Sequence, residues 1–125
     1  MNREILFKAK RIDNGEWVTG TPVFVEEYTD MYWWDSEEQL LRYTSVGRTT
    51  LCQFTGLTDK NGVKIFEGDI LNVVCKWDRA NMVVLFESCT FVLKTSDDIG
   101  YKYLGYMNNL EIIGNIHDNP DLLTT

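Results

Sequence analysis

Apolar side chains recur at every second residue through much of this chain. In the segment EILFKAKR, Ile5, Phe7 and Ala9 fall on one side, and Glu4, Lys8 and Lys10 fall on the other. The segment ILNVVCKW repeats the pattern, with its alternate positions at Leu71, Val73, Cys75 and Trp77. A period of two places successive side chains on opposite faces of a β-strand. The alternation therefore predicts half-buried strands rather than amphipathic helices.

Turn signals separate these segments about every 8 to 12 residues, a spacing typical of a small β-barrel or sandwich. Asp13-Asn14-Gly15 predicts a hairpin at the start, and Gly20-Thr21-Pro22 predicts a bend or bulge in its second strand, with Pro22 at an edge. Residues 70 to 95 predict a three-stranded meander. We expect a mainly β fold, with an N-terminal hairpin and at most one or two short helical turns.

Length and charge limit the classes of protein to consider. A chain of 125 residues with a formal net charge of −7 predicts one domain, residues 1–125, that repels polyanions. Its opening residues lack a secretory pattern, and no run approaches the roughly 20 apolar residues of a membrane span. Three cysteines, Cys52, Cys75 and Cys89, fit no disulfide framework and are predicted to be small core hydrophobes. We expect a cytoplasmic protein with no membrane partner and a polar, frayed C-terminal tail.

The stretch from 55 to 71 is rich in residues that form turns. Glycine and asparagine adopt positive φ at low cost, and an aspartate side chain can accept hydrogen bonds from the backbone of a turn. The residues predicted to fix these turns are Gly56, Asp59, Asn61, Gly62, Glu67, Gly68 and Asp69.

Acidic and aromatic residues are interleaved in VFVEEYTDMYWWDSEEQLLRY at 23 to 43, most of which falls in the irregular stretch from 26 to 48. Ser36 and Gln39 match a capping box, which predicts a short helical turn through Tyr43. Aromatic rings give large contact area and carboxylates attract a basic partner, so this stretch is the candidate protein-binding surface. Its candidate residues are Tyr28, Asp30, Tyr32, Trp33, Trp34, Asp35, Glu37 and Glu38. The alternative is that these aromatic rings cover the core while the acids face water.

Other chemistry has weaker support. Asp59, Glu67 and Asp69 could hold a hard cation and make a carboxylate-based metal enzyme, but position 12 of an EF-hand starting at Asp59 would be Ile70. His117 is the only histidine, and there is no GxSxG, phosphate-binding or dinucleotide motif, so no catalytic residue, metal or cofactor is predicted. A nucleic-acid-binding barrel is the other alternative, although the acidic charge disfavours it. Its candidate residues are Arg3, Lys8, Lys10 and Arg11, then Lys60 and Lys64.

Three blocks carry a resemblance to a known family. These are REILFKAKRIDNGEWV at 3 to 18, QFTGLTDKNGVKIFEGDIL at 53 to 71 and EIIGNIHDNPDLL at 111 to 123. With these blocks, the chain resembles the YopX-like family of phage and prophage proteins. The resemblance implies a mainly β, SH3-like barrel and carriage by a bacteriophage or prophage, and it assigns no catalytic residues.

Together these observations favour a phage- or prophage-encoded accessory or regulatory protein that is not an enzyme. We expect it to bind another protein, with a protein of the bacterial host as a candidate, through the acidic aromatic stretch. Exposed edge strands could also allow it to self-associate.

Overall fold

A computed structural model describes residues 4–75, 78–96 and 101–123. Strands dominate it, which confirms the mainly β prediction, and its helices are short 3-10 segments at Arg48–Thr50, Leu104–Tyr106 and Pro120–Leu123. The strands are β1 Phe7–Lys10, β2 Trp17–Val25, β3 Tyr28–Asp35, β4 Leu40–Val46, β5 Cys52–Thr58, β6 Lys64–Phe66, β7 Asp69–Cys75, β8 Asp78–Glu87, β9 Thr90–Lys94, β10 Tyr101–Tyr103 and β11 Glu111–Asn115.

The chain divides into two compact units, Met1–Phe54 and Thr55–Thr125, which we call unit 1 and unit 2. The boundary falls inside β5, so its first residues belong to unit 1 and its last residues to unit 2. A single domain over the whole length stays a prediction.

Unit 1 contains antiparallel strands in the order β4-β3-β2-β1-β5. A bridge between Arg11 and Val46 joins the end of β4 to the residue after β1. Hydrogen bonds from Ile12 N to Ser45 O at 3.1 Å and from Gly47 N to Lys10 O at 2.9 Å flank that bridge. The strands therefore wrap in a barrel-like manner around Ala9, Met31 and Val46, all buried.

The predicted N-terminal hairpin is present, but β2 is continuous where a bend or bulge was predicted. Glycine at position 20 lets β2 run close to the Tyr32 carbonyl of β3, because a β-carbon there would collide with that oxygen. Pro22 is tolerated because β1 pairs with β2 only as far as Gly20, so β2 has β3 as its partner at Pro22.

The predicted irregular stretch with a helical turn through Tyr43 is wrong, because residues 28 to 46 form the hairpin of β3 and β4. Asp35 accepts hydrogen bonds from the backbone N–H groups of Glu37 and Glu38, and Gln39 adopts a φ of 56°. Positive φ at Gln39 reverses the chain instead of continuing a helical turn. The reciprocal bond of a capping box is replaced by a bond from Gln39 Nε2 to the Ser36 carbonyl.

Unit 2 contains a sheet in the order β10-β9-β8-β7-β11, which includes the predicted meander of β7, β8 and β9. Its core consists of Ile65, Leu71, Val73, Met82, Val84, Leu93, Leu104 and Leu110. Of the face predicted for β7, Leu71 and Val73 are buried, whereas Trp77 and the side chain of Cys75 lie outside the described structure.

Two further expectations about burial and order are wrong. Cys52 is buried, but Cys89 is exposed in the turn between β8 and β9, where it and Ser88 both have positive φ. The tail is not simply polar and frayed, because residues 120 to 123 form a 3-10 helix and Asn81 Nδ2 donates to the Leu122 carbonyl at 2.9 Å. Gly114 makes room for this helix, since a β-carbon there would lie 2.7 Å from Leu122 Cδ1.

Candidate protein-binding face

One face of the β2-β3-β4 sheet in unit 1 carries most of the exposed aromatic and aliphatic side chains of that unit. The strand register pairs Tyr32 with Tyr43, Trp34 with Leu41 and Asp30 with Ser45. Residues that pair across an antiparallel ladder point to the same side of the sheet. We call this side the aromatic face and define it by Val23, Val25, Tyr28, Asp30, Tyr32, Trp34, Leu41, Tyr43 and Ser45.

The aromatic face is open to solvent. Tyr28, Trp34 and Tyr43 are 63%, 59% and 64% exposed, and Leu41 is also exposed. The rings of Tyr32 and Tyr43 stack with their centroids 5.2 Å apart and their planes at 23°. Contiguous apolar surface of this kind on a small protein commonly marks an interaction site.

Acidic turns lie at both ends of β3 and so flank the aromatic face. The turn before β3 carries Glu26 and Glu27, and the turn after it carries Glu37 and Glu38, all with exposed side chains. On the face itself, Ser45 Oγ donates to Asp30 Oδ1 at 2.9 Å. The resulting surface combines apolar contact area with negative charge, the combination that attracts a basic partner.

The alternation of the strand divides the predicted binding residues into separate groups. Tyr28, Asp30, Tyr32 and Trp34 lie together on the aromatic face. Trp33 and Asp35 point to the opposite side of the sheet, and Glu37 and Glu38 lie in the turn beyond it.

Sequence reasoning missed five members of the face. Val23 and Val25 come from β2, and Leu41, Tyr43 and Ser45 come from β4. The signal for β4 was present in the sequence, because Leu41, Tyr43 and Ser45 alternate with polar side chains. The capping-box interpretation of the preceding turn hid it.

The same hairpin borders a cavity of about 400 Å³, whose lining combines Arg11, Trp33 and Arg42 with Leu41 and Tyr43 of the aromatic face. Both arginines have carboxylate partners, Asp13 for Arg11 and Asp35 for Arg42. The bond from Arg42, with backbone donors from Glu38 and Glu37, keeps the pKa of Asp35 below its ordinary value. These ion pairs compensate the charge at this cavity.

Arg48 fixes the turn between β2 and β3. Its Nε donates to Thr29 Oγ1 at 2.7 Å, and its Nη2 donates to the carbonyls of Glu26 at 3.0 Å and Tyr28 at 2.8 Å. The guanidinium also lies 5.4 Å from the centroid of the Phe24 ring. Arg48, which follows β4 in the chain, therefore holds the turn that presents Tyr28.

In unit 2, the turn-forming residues of the 55–71 stretch show how its connections are built. Gly56, Gly62 and Gly68 all have positive φ. Asp59 is buried, and its Oδ1 accepts from the backbone N–H groups of Asn61 at 2.9 Å and Val63 at 3.0 Å. Its Oδ2 accepts from Ile112 N at 3.1 Å.

Asp69 has a similar structural role at the next connection. It is buried, and its Oδ2 accepts from Phe66 N at 2.8 Å across the bend that contains Glu67 and Gly68. Among the residues that the structure describes, no group of three or more acidic, histidine or cysteine side chains is arranged to hold a metal ion. The carboxylates of Asp59 and Asp69 are instead engaged by backbone donors.

The basic residues considered for nucleic acid are divided between the two units, with Lys8 and Lys10 close together in unit 1. Lys8 and Lys10 lie over the Trp17 ring, with Nζ 4.7 and 5.5 Å from its centroid. Arg11 pairs with Asp13 in unit 1, whereas Lys60 pairs with Glu111 at 3.5 Å in unit 2, where Lys64 is exposed on β6. Arg3 is outside the described residues.

Within the described ranges, no helix has the length and apolar character needed to cross a membrane. A comparison with curated proteins gives no significant match. Among solved structures, the crystal structure of protein EF1440 from Enterococcus faecalis is similar, with 25% sequence identity and a TM-score of 0.59. That alignment covers 98% of this chain and 99% of the other. The sequence profile described as YopX protein matches residues 6–124, and the chain therefore belongs to the YopX family.

Proposed function

We propose that this protein is a non-enzymatic accessory or regulatory protein that binds another protein through the aromatic face. The observation that carries the proposal is the exposure of Tyr28, Trp34 and Tyr43 together on one side of a single sheet. Large, rigid aromatic side chains supply much of the energy of protein interfaces when a partner buries them. Their position on paired strands keeps them in a fixed arrangement before binding, which lowers the entropic cost.

The preferred partner has a basic surface. Support for this comes from the acidic turns at both ends of β3 and from the formal net charge of −7. Charges at the rim of an interface steer the approach of the partner and are screened by salt. Association should therefore slow as ionic strength rises, while the dissociation rate changes less.

A capture experiment with paired variants tests the proposal. Trp34→Ser combined with Tyr43→Ser removes two exposed rings from the face, and Phe86→Ser removes an exposed ring from β8 of unit 2 as a control. Partners would be captured from bacterial lysate with each protein, with and without nuclease. We expect proteins that are retained by wild type and Phe86→Ser, lost with the double variant and unaffected by nuclease.

Thermal unfolding of all three proteins shows whether the variants remain folded. Capture of the same proteins by the folded double variant would refute the proposal. Recovery of the chain's own untagged copy as the ligand lost with the double variant would identify self-association as the binding event.

A second candidate, single-stranded nucleic acid, is favoured by the cluster of Lys8 and Lys10 over Trp17. Such sites combine an aromatic ring that stacks on bases with cations that contact phosphates. Binding of an oligonucleotide at low salt, weakened by Lys8→Gln and Lys10→Gln with a shallower salt dependence, would support it. Absence of binding at low salt would exclude it.

We further propose that the protein is encoded by a bacteriophage or prophage and acts in the cytoplasm of the bacterial host. Membership of the YopX family and the exposed thiol of Cys89 support this setting. Phage genes on both sides of the coding sequence, and recovery of the protein in the cytoplasmic fraction, would be the expected results.

A further inference from the structure

Aromatic rings elsewhere in unit 1 are covered by the chain's own cations. Lys8 and Lys10 lie over Trp17, and Arg48 lies over Phe24, with distances of 4.7, 5.5 and 5.4 Å to the ring centroids. A cation within about 6 Å of a ring centroid is attracted by the electron density of the ring face. These contacts show how positively charged side chains pack on this sheet.

The stacked rings of Tyr32 and Tyr43 on the aromatic face have no such cover. Tyr43 is 64% exposed, and in the described part of the chain no lysine or arginine lies over either ring. The two rings overlap face to face, with their planes at 23°, and together form a stacked platform whose exposed side is the outer face of Tyr43. A planar cation can stack on a platform of this kind.

A carboxylate lies next to this platform on the same face. Asp30 precedes Tyr32 by two positions on β3 and is diagonal to Tyr43, so its side chain is about 7 Å from theirs. Ser45 Oγ binds Asp30 Oδ1 and holds the carboxylate in place. Within the described residues, Asp30 Oδ2 receives no hydrogen bond, which leaves an acceptor beside the rings.

We propose that Tyr32, Tyr43 and Asp30 form a subsite for an arginine side chain of the protein partner. The guanidinium stacks on the tyrosine platform and donates to Asp30 Oδ2. Arginine fits better than lysine because its head group is planar, is less strongly hydrated and presents several donors in one plane. This inference rests on the proposed function, since it specifies which partner side chain the aromatic face receives.

A peptide that presents arginine on an extended backbone tests the subsite directly. The probe is a fluorescently labelled peptide of alternating valine and arginine, compared with peptides in which citrulline or lysine replaces arginine. Citrulline keeps the shape of arginine and removes its charge. We expect the arginine peptide to bind at least about tenfold more tightly than the citrulline peptide, with lysine in between.

Two variants with the same change in net charge distinguish binding at the subsite from the overall electrostatic attraction of the acidic protein. Asp30→Asn alters the carboxylate of the subsite, and Glu37→Gln alters an exposed carboxylate in the turn after β3. Asp30→Asn should lower the affinity for the arginine peptide about tenfold and change the affinity for the citrulline peptide little. Tyr43→Leu should have the same two effects. Glu37→Gln should weaken both peptides slightly, in a salt-dependent way.

Equal binding of the arginine and citrulline peptides, or equal losses from Asp30→Asn and Glu37→Gln, would overturn the inference. If those results occurred while lysate capture still depended on Trp34 and Tyr43, the subsite would be refuted and the protein-binding function would stand. If lysate capture were also independent of Trp34 and Tyr43, the subsite and the protein-binding function would both be refuted.

Discussion

The carboxylate of Asp59 joins a turn to a strand that lies far along the chain, because its Oδ2 accepts a hydrogen bond from Ile112 N at 3.1 Å. Its other oxygen serves Asn61 and Val63 within the turn itself. A single buried side chain therefore fixes the shape of the turn and its position against β11. An asparagine can replace only part of this, because its amide nitrogen donates where Ile112 also donates.

Asp59→Asn should lower the free energy of unfolding by about 1–3 kcal/mol, the cost of leaving a buried donor without an acceptor. Urea denaturation followed by circular dichroism would measure it. Glu38→Gln makes the same change in charge on an exposed side chain in a turn, and it should alter stability by less than about 0.5 kcal/mol. Equal stability of the two variants would contradict the role assigned to Asp59.

The same carboxylate makes stability depend on pH. Burial opposes ionisation of Asp59, but the backbone donors of Val63, Ile112 and Asn61 outweigh it and lower the pKa from 3.8. Between the folded and unfolded pKa values the unfolded state binds more protons, so stability falls as the pH drops through this range. Wild type should thus lose more stability than Asp59→Asn between neutral pH and about pH 2. Parallel pH profiles of the two proteins would refute this.

The close approach of Gly20 to the Tyr32 carbonyl leads to a prediction for unit 1. Any β-carbon at position 20 would meet a backbone oxygen, which a side-chain rotation cannot move. Gly20→Ala should therefore destabilise the protein by about 1–3 kcal/mol, as other overpacked sites do. Gly105→Ala is the control, since a β-carbon there meets nothing within 4 Å. Thermal unfolding of the two variants compares them, and a stable Gly20→Ala protein would be inconsistent with the close approach.

Periodicity predicted much of the fold, because alternation in segments such as β1 and β7 has one simple structural meaning. It failed between 26 and 48, where the polar residues that end β3 can begin either a helix or a tight turn. Asp35 decides between them by binding the backbone of the turn, a contact that the sequence does not reveal.

The candidate site was predicted as a stretch of sequence, but the structure places its residues on two sides of a sheet. Tyr32 and Trp33 are neighbours in the sequence and point in opposite directions, and the ring that stacks on Tyr32 is Tyr43. Composition identified the part of the chain that contributes β3 to the candidate face. Only the pairing of β3 with β4 identifies which side chains can contact a partner together.

Arg48 holds the β2-β3 turn, so we expect a substitution of Arg48 to loosen the turn that presents Tyr28. Arg48→Lys keeps the charge but loses the planar set of donors that reaches Thr29 and the carbonyls of Glu26 and Tyr28. Amide hydrogen exchange at Tyr28 should become at least about tenfold faster, because opening of the β2-β3 turn then costs about 1.4 kcal/mol less.

Arg42→Lys is the matched control for Arg48→Lys, since Arg42 pairs with Asp35 at the other end of β3. It should leave exchange at Tyr28 unchanged, and equal rates at Tyr28 in Arg48→Lys and wild type would contradict the assignment. If the aromatic face binds as proposed, Arg48→Lys should also weaken binding of the partner. Tyr28 would no longer be fixed before association, so the entropic cost of ordering it would reduce the affinity.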